Sequence, residues 1–425
     1  MTLQETQACQ RKGSTLLLYR YPALRMFATA CLCAALLLPG CIIRSGAQPP
    51  PTGKLLLAHY MPWYSAKPFS PFWGWHWTMG KFQPDVEKDG RREAASHYYP
   101  LIGLYDSSDP EVLDCQCLLM KLSGIDGVII DWYGLDDHLD YAINHRNTLS
   151  MVQAVKRSGL KFAICYEDST VTGLIAANKL KAVDAVNHTH DTMKWLNDHW
   201  FQDDAYVKVD GKPVFLVFGN GYFQDDQWNA ILAGLAAKPL LFTEAHQRAG
   251  SVGAFDWPHP EHGAVGSKRE MDRFYEQSHN WLQSIPAAYP RFHDIYDQAG
   301  VHKSWGDIPD GSGKTFEATL ERALTSNSRI VQIATWNDWG EGTQIEPSAE
   351  FGYRDLEAVQ RVRNQLLPSR LPYSPADLRL PVRLLILEKR NTAGAKARLD
   401  QAKSMLTAGN TQEAGKIITE VETWL

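Results

Sequence analysis

The feature of this sequence that most constrains its fold is a series of eight short apolar runs separated by longer, mostly helix-periodic segments. The apolar runs cover residues 55–60, 127–133, 160–166, 213–219, 239–244, 252–257, 284–289 and 329–336. The helix-periodic segments between them include residues 109–123, 188–200, 224–236, 268–282 and 315–326. Apolar strands that alternate with helices are typical of a parallel sheet. Eight such units predict an α/β fold, the (β/α)8 TIM barrel.

A doubly wound parallel sheet shows the same alternation, and the turn after the first strand separates the two folds. A nucleotide-binding sheet of that kind needs a glycine-rich turn there, so that the backbone can approach a phosphate. Residues 59–64 read HYMPWY instead and contain no glycine. The sequence therefore favours the barrel.

The N-terminal segment has the pattern of an export signal. Basic residues precede an apolar stretch at 26–38, which is too short to span a bilayer comfortably. The stretch runs into Leu-Pro-Gly-Cys, which resembles a bacterial lipoprotein box with Cys41 as the acylated residue. We expect a signal peptide over 1–41, a Pro-rich tether over 42–53, and a lipid anchor to the membrane in the bacterial periplasm or outer membrane. Cleavage near 45–47, which would release a soluble secreted protein, is the alternative.

A second boundary is predicted near residue 371, where the Pro-rich stretch 368–381 interrupts the periodicity. The catalytic barrel is then expected over 54–370. Residues 371–425 are expected to form an α-helical hairpin appendage, with one helix over 382–408 and a second over 411–424.

Composition excludes several classes of function. Lys+Arg number 43 and Asp+Glu 48, a net charge of −5 that makes nucleic acid a poor partner. The three cysteines beyond Cys41 form no disulfide framework. The sequence contains no H-E-x-x-H zinc motif and no G-x-S-x-G nucleophile motif. We expect a monomer with no metal site and no cofactor.

Carboxylates and aromatic residues follow the predicted strands at the edge where a barrel carries its active site. These residues are His59, Tyr60, Trp63, Asp131, Trp132, Tyr133, Glu167, Glu244, Asp256, Trp257, Trp336, Asn337, Asp338 and Glu341. Aromatic faces stack on the apolar face of a sugar ring, and most glycosidases use two carboxyl groups around one glycosidic bond. The pattern therefore indicates glycoside hydrolysis, with Asp338 and Glu341 as the catalytic pair and the others as substrate-binding residues.

The stretch WNDWGEGTQIEP at 336–347 resembles the clan that includes glycoside hydrolase families 99 and 71. Family 99 comprises endo-α-mannosidases and endo-α-mannanases on a (β/α)8 barrel, with a Trp-Asn-Glu-Trp-His-Glu-Gly-Thr motif after the last strand. The resemblance extends to residues 59–64, 97–110, 123–134 and 162–168. It implies an endo-acting hydrolase of α-linked, mannan-type glycans.

Carried over by position, the resemblance makes Glu341 the general acid and Asp338 the general base. The resemblance to family 99 implies that this base removes the proton of the sugar 2-OH, which gives a 1,2-anhydro sugar and net retention. The chain has Asp338 where family 99 usually has Glu and Gly340 where it has His. The Asn-Asp-x-Gly-Glu order is more similar to family 71, inverting endo-α-1,3-glucanases. That activity, or a non-catalytic carbohydrate-binding relative, is the alternative function.

The chain has 14 Trp residues, and their positions divide them into two groups. Eight fall in 63–77 or at predicted strand ends, where we expect sugar-binding surfaces. The other six are expected to pack in the core or shell, at 195, 200, 228, 281, 305 and 424.

Overall fold

A computed structural model describes residues 53–219, 221–390 and 394–424. The predicted signal peptide, Cys41 and all but the last residue of the predicted tether lie outside the described residues. In the described part of the chain, no helix has the length and hydropathy needed to cross a bilayer.

The core of the molecule is a ring of parallel strands. The strands are β1 Leu55–Tyr60, β2 Gly127–Trp132, β3 Lys161–Tyr166, β4 Lys212–Val217, β5 Leu240–Glu244, β6 Gly253–Phe255, β7 Gln283–Ile285, β8 Ala287–Ala288 and β9 Ile330–Ile333. Their order in the sheet is β7-β6-β5-β4-β3-β2-β1-β9-β8. All pairings between these strands are parallel.

The ring closes through the segment that contains β7 and β8. These two strands are consecutive in the chain and are separated only by Pro286, which has no N–H to donate. β7 pairs with β6, and β8 pairs with β9. The segment thus joins both ends of the sheet. Because β7 and β8 together occupy one strand position, the nine described strands fill eight positions of the ring and confirm the predicted (β/α)8 barrel.

Helices surround the barrel and extend from its loops. They are α1 Trp75–Thr78, α2 Pro110–Ser123, α3 Tyr141–Ser158, α4 Ser169–Ala176, α5 Ala185–Leu196, α6 Asp225–Ile231, α7 Gly263–Ser278, α8 Tyr296–Ala299, α9 Lys314–Thr325, α10 Arg354–Leu366, α11 Leu380–Lys389, α12 Lys396–Thr407 and α13 Thr411–Glu422. Residues 245–252, all of which are described, connect β5 to β6 without a helix.

Helix α2 shows how local sequence sets these boundaries. The Asp109 side chain accepts a hydrogen bond from the N–H of Glu111, and Pro110 occupies the first turn, where its missing donor costs nothing. Gly124 ends the helix in the left-handed region, with φ 91°. The helix therefore begins at the Asp-Pro signal that the sequence pattern predicts.

The C-terminal helices differ from the prediction in one respect. The expected single helix over 382–408 is wrong, because α11 ends at Lys389 and α12 begins at Lys396. Gly394 between them has φ 81°, outside the range of a right-handed helix. Helices α12 and α13 pack against each other after the turn at Gly409. Helix α11 packs on α2 of the barrel, and the Lys389 ammonium lies 2.6 Å from an Asp109 oxygen.

The close approach of β2 to β3 gives a test of the fold. A Cβ at Gly127 would lie 2.1 Å from the Lys161 carbonyl oxygen, so Gly127→Ala should lower the free energy of unfolding by about 2 kcal/mol or more. Gly415 in α13 is the control, since a Cβ there meets only ordinary contacts at 3.6 Å. Gly415→Ala should raise stability by up to about 1 kcal/mol. Urea denaturation measures both, and equal effects would contradict the strand packing described here.

Candidate active site

A cavity of about 540 Å³ opens at the carboxyl ends of the barrel strands. This volume is in the range of small-molecule and cofactor sites. Several residues that the sequence pattern indicated line it together: Trp63, Asp131, Tyr133, Glu167, Glu244, Trp257, Asp338 and Glu341. The structure therefore brings the two predicted catalytic carboxylates and six predicted substrate-binding residues to one site.

Three of the predicted substrate-binding residues are buried away from the cavity. The Tyr60 hydroxyl donates to Gln116 Oε1 of α2 at 3.0 Å. The Trp132 ring packs on Trp195 and Trp200 of the helical layer, with ring centres 6.0 and 5.5 Å apart. Trp336 is likewise fully buried outside the cavity. For Tyr60 and Trp132 the reason is strand alternation, because adjacent residues of a strand face opposite sides of the sheet.

His59 and Asp256 are buried and do not line the cavity. The His59 ring packs edge-on against Trp257 at 4.8 Å, and its Nδ1 lies 3.4 Å from Gln332 Oε1. Gln332 Nε2 donates to the Asp256 backbone oxygen at 2.6 Å. The Asp256 carboxyl is fully buried, and burial raises its pKa to about 6. Neither side chain therefore reaches the cavity.

Asn337 has a structural position between two loops. Its Oδ1 accepts from the Met61 N–H at 2.8 Å, and its Nδ2 donates to the Met61 oxygen at 3.0 Å. The Tyr64 hydroxyl donates to the Asn337 backbone oxygen at 2.9 Å. The loop after the last strand is thus bound to the loop after the first strand. Both polar atoms of the Asn337 side chain take part in this contact.

The two carboxylates of Asp338 and Glu341 stand on one tight turn. The Asp338 N–H donates to Thr335 Oγ1 at 2.8 Å, and the Glu341 N–H donates to Asp338 Oδ1 at 3.0 Å. The Thr343 N–H donates to the Asp338 backbone oxygen at 3.3 Å. These bonds fix the turn while both side chains still line the cavity.

Gly342 allows the neighbouring loop to approach this turn. It has φ 70°, and a Cβ would lie 2.6 Å from the His293 carbonyl oxygen. The His293 N–H donates to the Glu341 backbone oxygen at 2.8 Å, and the Ile295 N–H donates to the Gly340 oxygen at 3.0 Å. The loop that follows β8 therefore lies directly along the turn.

Glu346 supports the same motif from below. Its carboxylate accepts from the Tyr105 hydroxyl at 2.8 Å and from Gln116 Nε2 at 2.6 Å. Burial raises the pKa of Glu346 to about 7, and these hydrogen bonds oppose that rise. The residue is buried and does not line the cavity.

Two aromatic groups lie on the cavity wall. Trp63 stacks on His76 with ring centres 4.1 Å apart and planes 8° apart, and His76 Nε2 lies 3.3 Å from Asp140 Oδ2. Trp305 stacks on His302 at 4.7 Å. Trp305 was expected to pack in the core or shell, and its place on the cavity wall corrects that expectation.

Sequence reasoning missed several other lining residues. They are His76, Asp140, His259, Glu261, Tyr296 and His302. These residues lie in loops between predicted elements rather than at the strand ends. The stretch 63–77 carries a signal, because its tryptophans were expected at sugar-binding surfaces, and Trp75 does line the cavity. The loop at 296–305 carries none beyond its aromatic content.

The cavity has a strongly acidic lining. Seven carboxylic acids face it: Asp131, Asp140, Glu167, Glu244, Glu261, Asp338 and Glu341. Among the described residues that line it there are four histidines but no lysine or arginine. Burial first, and then the charges of Glu167 and Asp338, hold the pKa of the Asp131 carboxyl well above its usual range.

Comparison with known proteins finds similarity to proteins that are named for activity on carbohydrates. A family model described as Glycosyltransferase WbsX matches residues 272–359. A glycoprotein endo-alpha-1,2-mannosidase-like protein of Danio rerio is 24% identical, with the match covering 64% of each chain. The glycoprotein endo-alpha-1,2-mannosidase of Mus musculus is also 24% identical, over 70% of this chain and 68% of its own.

A solved structure agrees in fold. The GH99 endo-alpha-mannosidase from Bacteroides thetaiotaomicron superposes with a TM-score of 0.54 and 16% identity, covering 72% of this chain and 95% of its own. The chain is therefore similar in sequence to endo-alpha-1,2-mannosidases and in fold to a GH99 endo-alpha-mannosidase. The similarity to family 99 that the sequence motifs indicated is thereby confirmed, and the family 71-like detail at Asp338 and Gly340 stays a prediction.

The raised pKa of Glu346 makes the stability of the family 99-like chain depend on pH. Between the ordinary value of 4.5 and about 7, the folded protein keeps a proton on Glu346 that the unfolded chain releases. The free energy of unfolding should therefore fall across this window as pH rises, on the order of 3 kcal/mol from this residue. Glu346→Gln removes the titration.

Urea denaturation at several pH values checks this prediction. The glutamine variant is expected to be less stable at low pH, because its amide nitrogen must face either Gln116 Nε2 or the Tyr105 hydroxyl, both of which donate to Glu346. Its profile should nevertheless be flatter than that of the wild type between about pH 4.5 and 7. Parallel profiles would show that Glu346 is not the group responsible.

Proposed function

We propose that the family 99-like chain is a glycoside hydrolase that cleaves α-linked, mannose-containing glycans by endo action. The observation that carries this proposal is the turn that presents Asp338 and Glu341 to an aromatic and carboxylate-lined cavity at the active end of a barrel. The names of the relatives, glycoprotein endo-alpha-1,2-mannosidases, support an α-mannoside as the substrate. The match spans 64% of the first of these relatives. The activity is therefore proposed from the site and is not assigned from the match alone.

In the proposed reaction, Glu341 protonates the glycosidic oxygen as the bond from that oxygen to C1 breaks. Asp338 accepts a proton as the new bond to C1 forms. If the proton comes from the sugar 2-OH, the product of this step is a 1,2-anhydro sugar, which water then opens with net retention. If it comes from a water molecule, the water attacks C1 directly with inversion. The same two residues serve both routes.

The shorter side chain of Asp338 bears on the choice between these routes. Aspartate sets its carboxylate back by one methylene relative to the usual glutamate of family 99. The additional space suits a water molecule between base and sugar, which is the arrangement of an inverting enzyme. The second candidate is therefore an inverting endo-α-1,3-glucanase-like hydrolase, supported by the Asn-Asp-x-Gly-Glu order. Product stereochemistry separates the two.

The acidic cavity supports hydrolysis of a glycan over transfer from a nucleotide sugar. A nucleotide-sugar donor carries a diphosphate, which proteins bind with cations, metal ions or backbone amides. No lysine or arginine is found among the described lining residues, and seven carboxylic acids are. Glu167 and Glu244 are instead suited to accept hydrogen bonds from sugar hydroxyls, and Trp63 and Trp257 to stack on a ring.

The chain is further proposed to act outside the cytoplasm as a lipid-anchored protein. The support is the N-terminal pattern alone: a basic region, the apolar stretch 26–38 and the lipoprotein-like box that ends at Cys41. A soluble secreted form is the alternative. Either location exposes the cavity to polysaccharides.

The catalytic assignment predicts that Asp338→Asn and Glu341→Gln each lower turnover on the glycan by roughly 10² to 10⁴-fold, the usual contribution of acid–base catalysis. Circular dichroism and glycan binding should change little, because each amide is nearly isosteric with the acid. Glu321→Gln is the matched control on an exposed surface of α9. Retention of near wild-type turnover by either site variant would exclude that residue from the proposed role.

A panel of α-mannans and α-1,3-glucans, with product anomers read by NMR, identifies the substrate and the stereochemistry. Oligosaccharide products of several lengths indicate endo action, whereas monosaccharides alone would contradict it. Binding without turnover on the whole panel would favour the non-catalytic carbohydrate-binding alternative.

A further inference from the structure

A second group of chemically active side chains lies in the barrel interior, on three adjacent strands. His59 is on β1, Asp131 on β2 and Cys165 on β3. The backbone register pairs His59 with Ile129 and Asp131 with Cys165, so all three side chains face the same side of the sheet. A ring nitrogen of His59, a carboxylate oxygen of Asp131 and the Cys165 sulfur all lie within 4.8 Å of one another.

The three side chains are at most 1% exposed, and most of their polar atoms make no hydrogen bond. Among the described residues, His59 Nε2 and both Asp131 carboxylate oxygens have no hydrogen-bond partner. Leaving such groups buried without a partner destabilises the folded protein, and a buried charge does so more than a neutral group. A ligand that binds all three would remove that cost.

The tautomer of His59 leaves a lone pair for such a ligand. Gln332 Nε2 donates to the Asp256 backbone oxygen at 2.6 Å, which fixes the orientation of its amide. Its Oε1, 3.4 Å from His59 Nδ1, can then only accept, so Nδ1 carries the proton. Nε2 is therefore unprotonated. A histidine whose other nitrogen donates to an amide or carboxylate oxygen is the usual form of a metal ligand.

We propose that His59, Asp131 and Cys165 form a binding site for a zinc-class transition-metal ion. Imidazole, carboxylate and thiolate together are a borderline-soft donor set, which zinc prefers and magnesium or calcium does not. Two ligand atoms at about 2.0–2.3 Å from one ion lie at most about 4.6 Å apart, which is compatible with the 4.8 Å limit within which these three atoms lie. Three protein ligands leave one position of a tetrahedron for a water molecule or a hydroxyl.

This site is separate from the proposed acid–base pair. One oxygen of Asp131 is sufficient for the metal, and Asp131 also lines the cavity above, so the ion would lie beneath the cavity floor. The sequence pattern gave no sign of the site and led to an expectation of none. Zinc motifs are recognised by short ligand spacing, whereas these ligands come from three different strands.

Cobalt substitution tests the proposal on the full chain. Protein stripped with a chelator is titrated with Co²⁺, and the expected result is about one tightly bound ion with a thiolate-to-cobalt charge-transfer band. Cys165→Ser should abolish that band and weaken binding by at least tenfold. Cys115→Ser is the matched control, because Cys115 is equally buried but lies in α2, outside the cluster. It should leave both unchanged.

The outcomes separate this proposal from the proposed hydrolase activity. Absence of stoichiometric binding or of a charge-transfer band in the wild type would overturn the metal site, whatever the activity on glycans. A band that persists unchanged in Cys165→Ser would also overturn it. Elemental analysis of the chain as purified should find zinc at about one ion per molecule, a readout that does not depend on whether the serine variant folds.

Discussion

The hydrogen bonds of Asn337 to Met61 are the contact on which the geometry of the active site depends. Both polar atoms of the Asn337 amide bind the backbone of Met61, at 2.8 and 3.0 Å. The loop after the last strand is thereby bound to the loop after the first, across the seam where β1 pairs with β9. Tyr64 and Tyr105 add hydrogen bonds to the same motif. Asp338 and Glu341 follow Asn337 within four residues of the chain, so this contact also restricts where these two residues lie.

The architecture could be predicted because it depends on periodic patterns that are visible in the amino-acid sequence itself. Strand and helix periodicity alternate along the chain, and each of the eight predicted runs contains a strand or pair of strands. The break between α11 and α12 could not be predicted, since 382–408 is apolar enough on one face to continue as one helix. Its only sequence mark is Gly394, which is tolerated in many helices.

The site could be predicted only in part, because strand alternation divides neighbouring residues between two environments. Asp131 lines the cavity, whereas Trp132 packs among Trp195 and Trp200. A residue chosen only because it follows a strand cannot be assigned to the cavity or to the helical layer. That assignment requires knowing which residues of the strand point into the barrel. Trp305 and His302 were missed for another reason: they lie in the long loop after β8, whose first part is bound through His293 and Ile295 to the backbone of Glu341 and Gly340.

The central claim is that Glu341 acts as the acid and Asp338 as the base. The most direct measurement compares both amide variants on an α-mannobioside with a dinitrophenolate leaving group, which departs without protonation. Glu341→Gln should regain near wild-type release of dinitrophenolate while it stays inactive on the glycan, and Asp338→Asn should stay inactive on both. Equal loss of dinitrophenolate release in the two variants, or recovery in Asp338→Asn alone, would contradict the account.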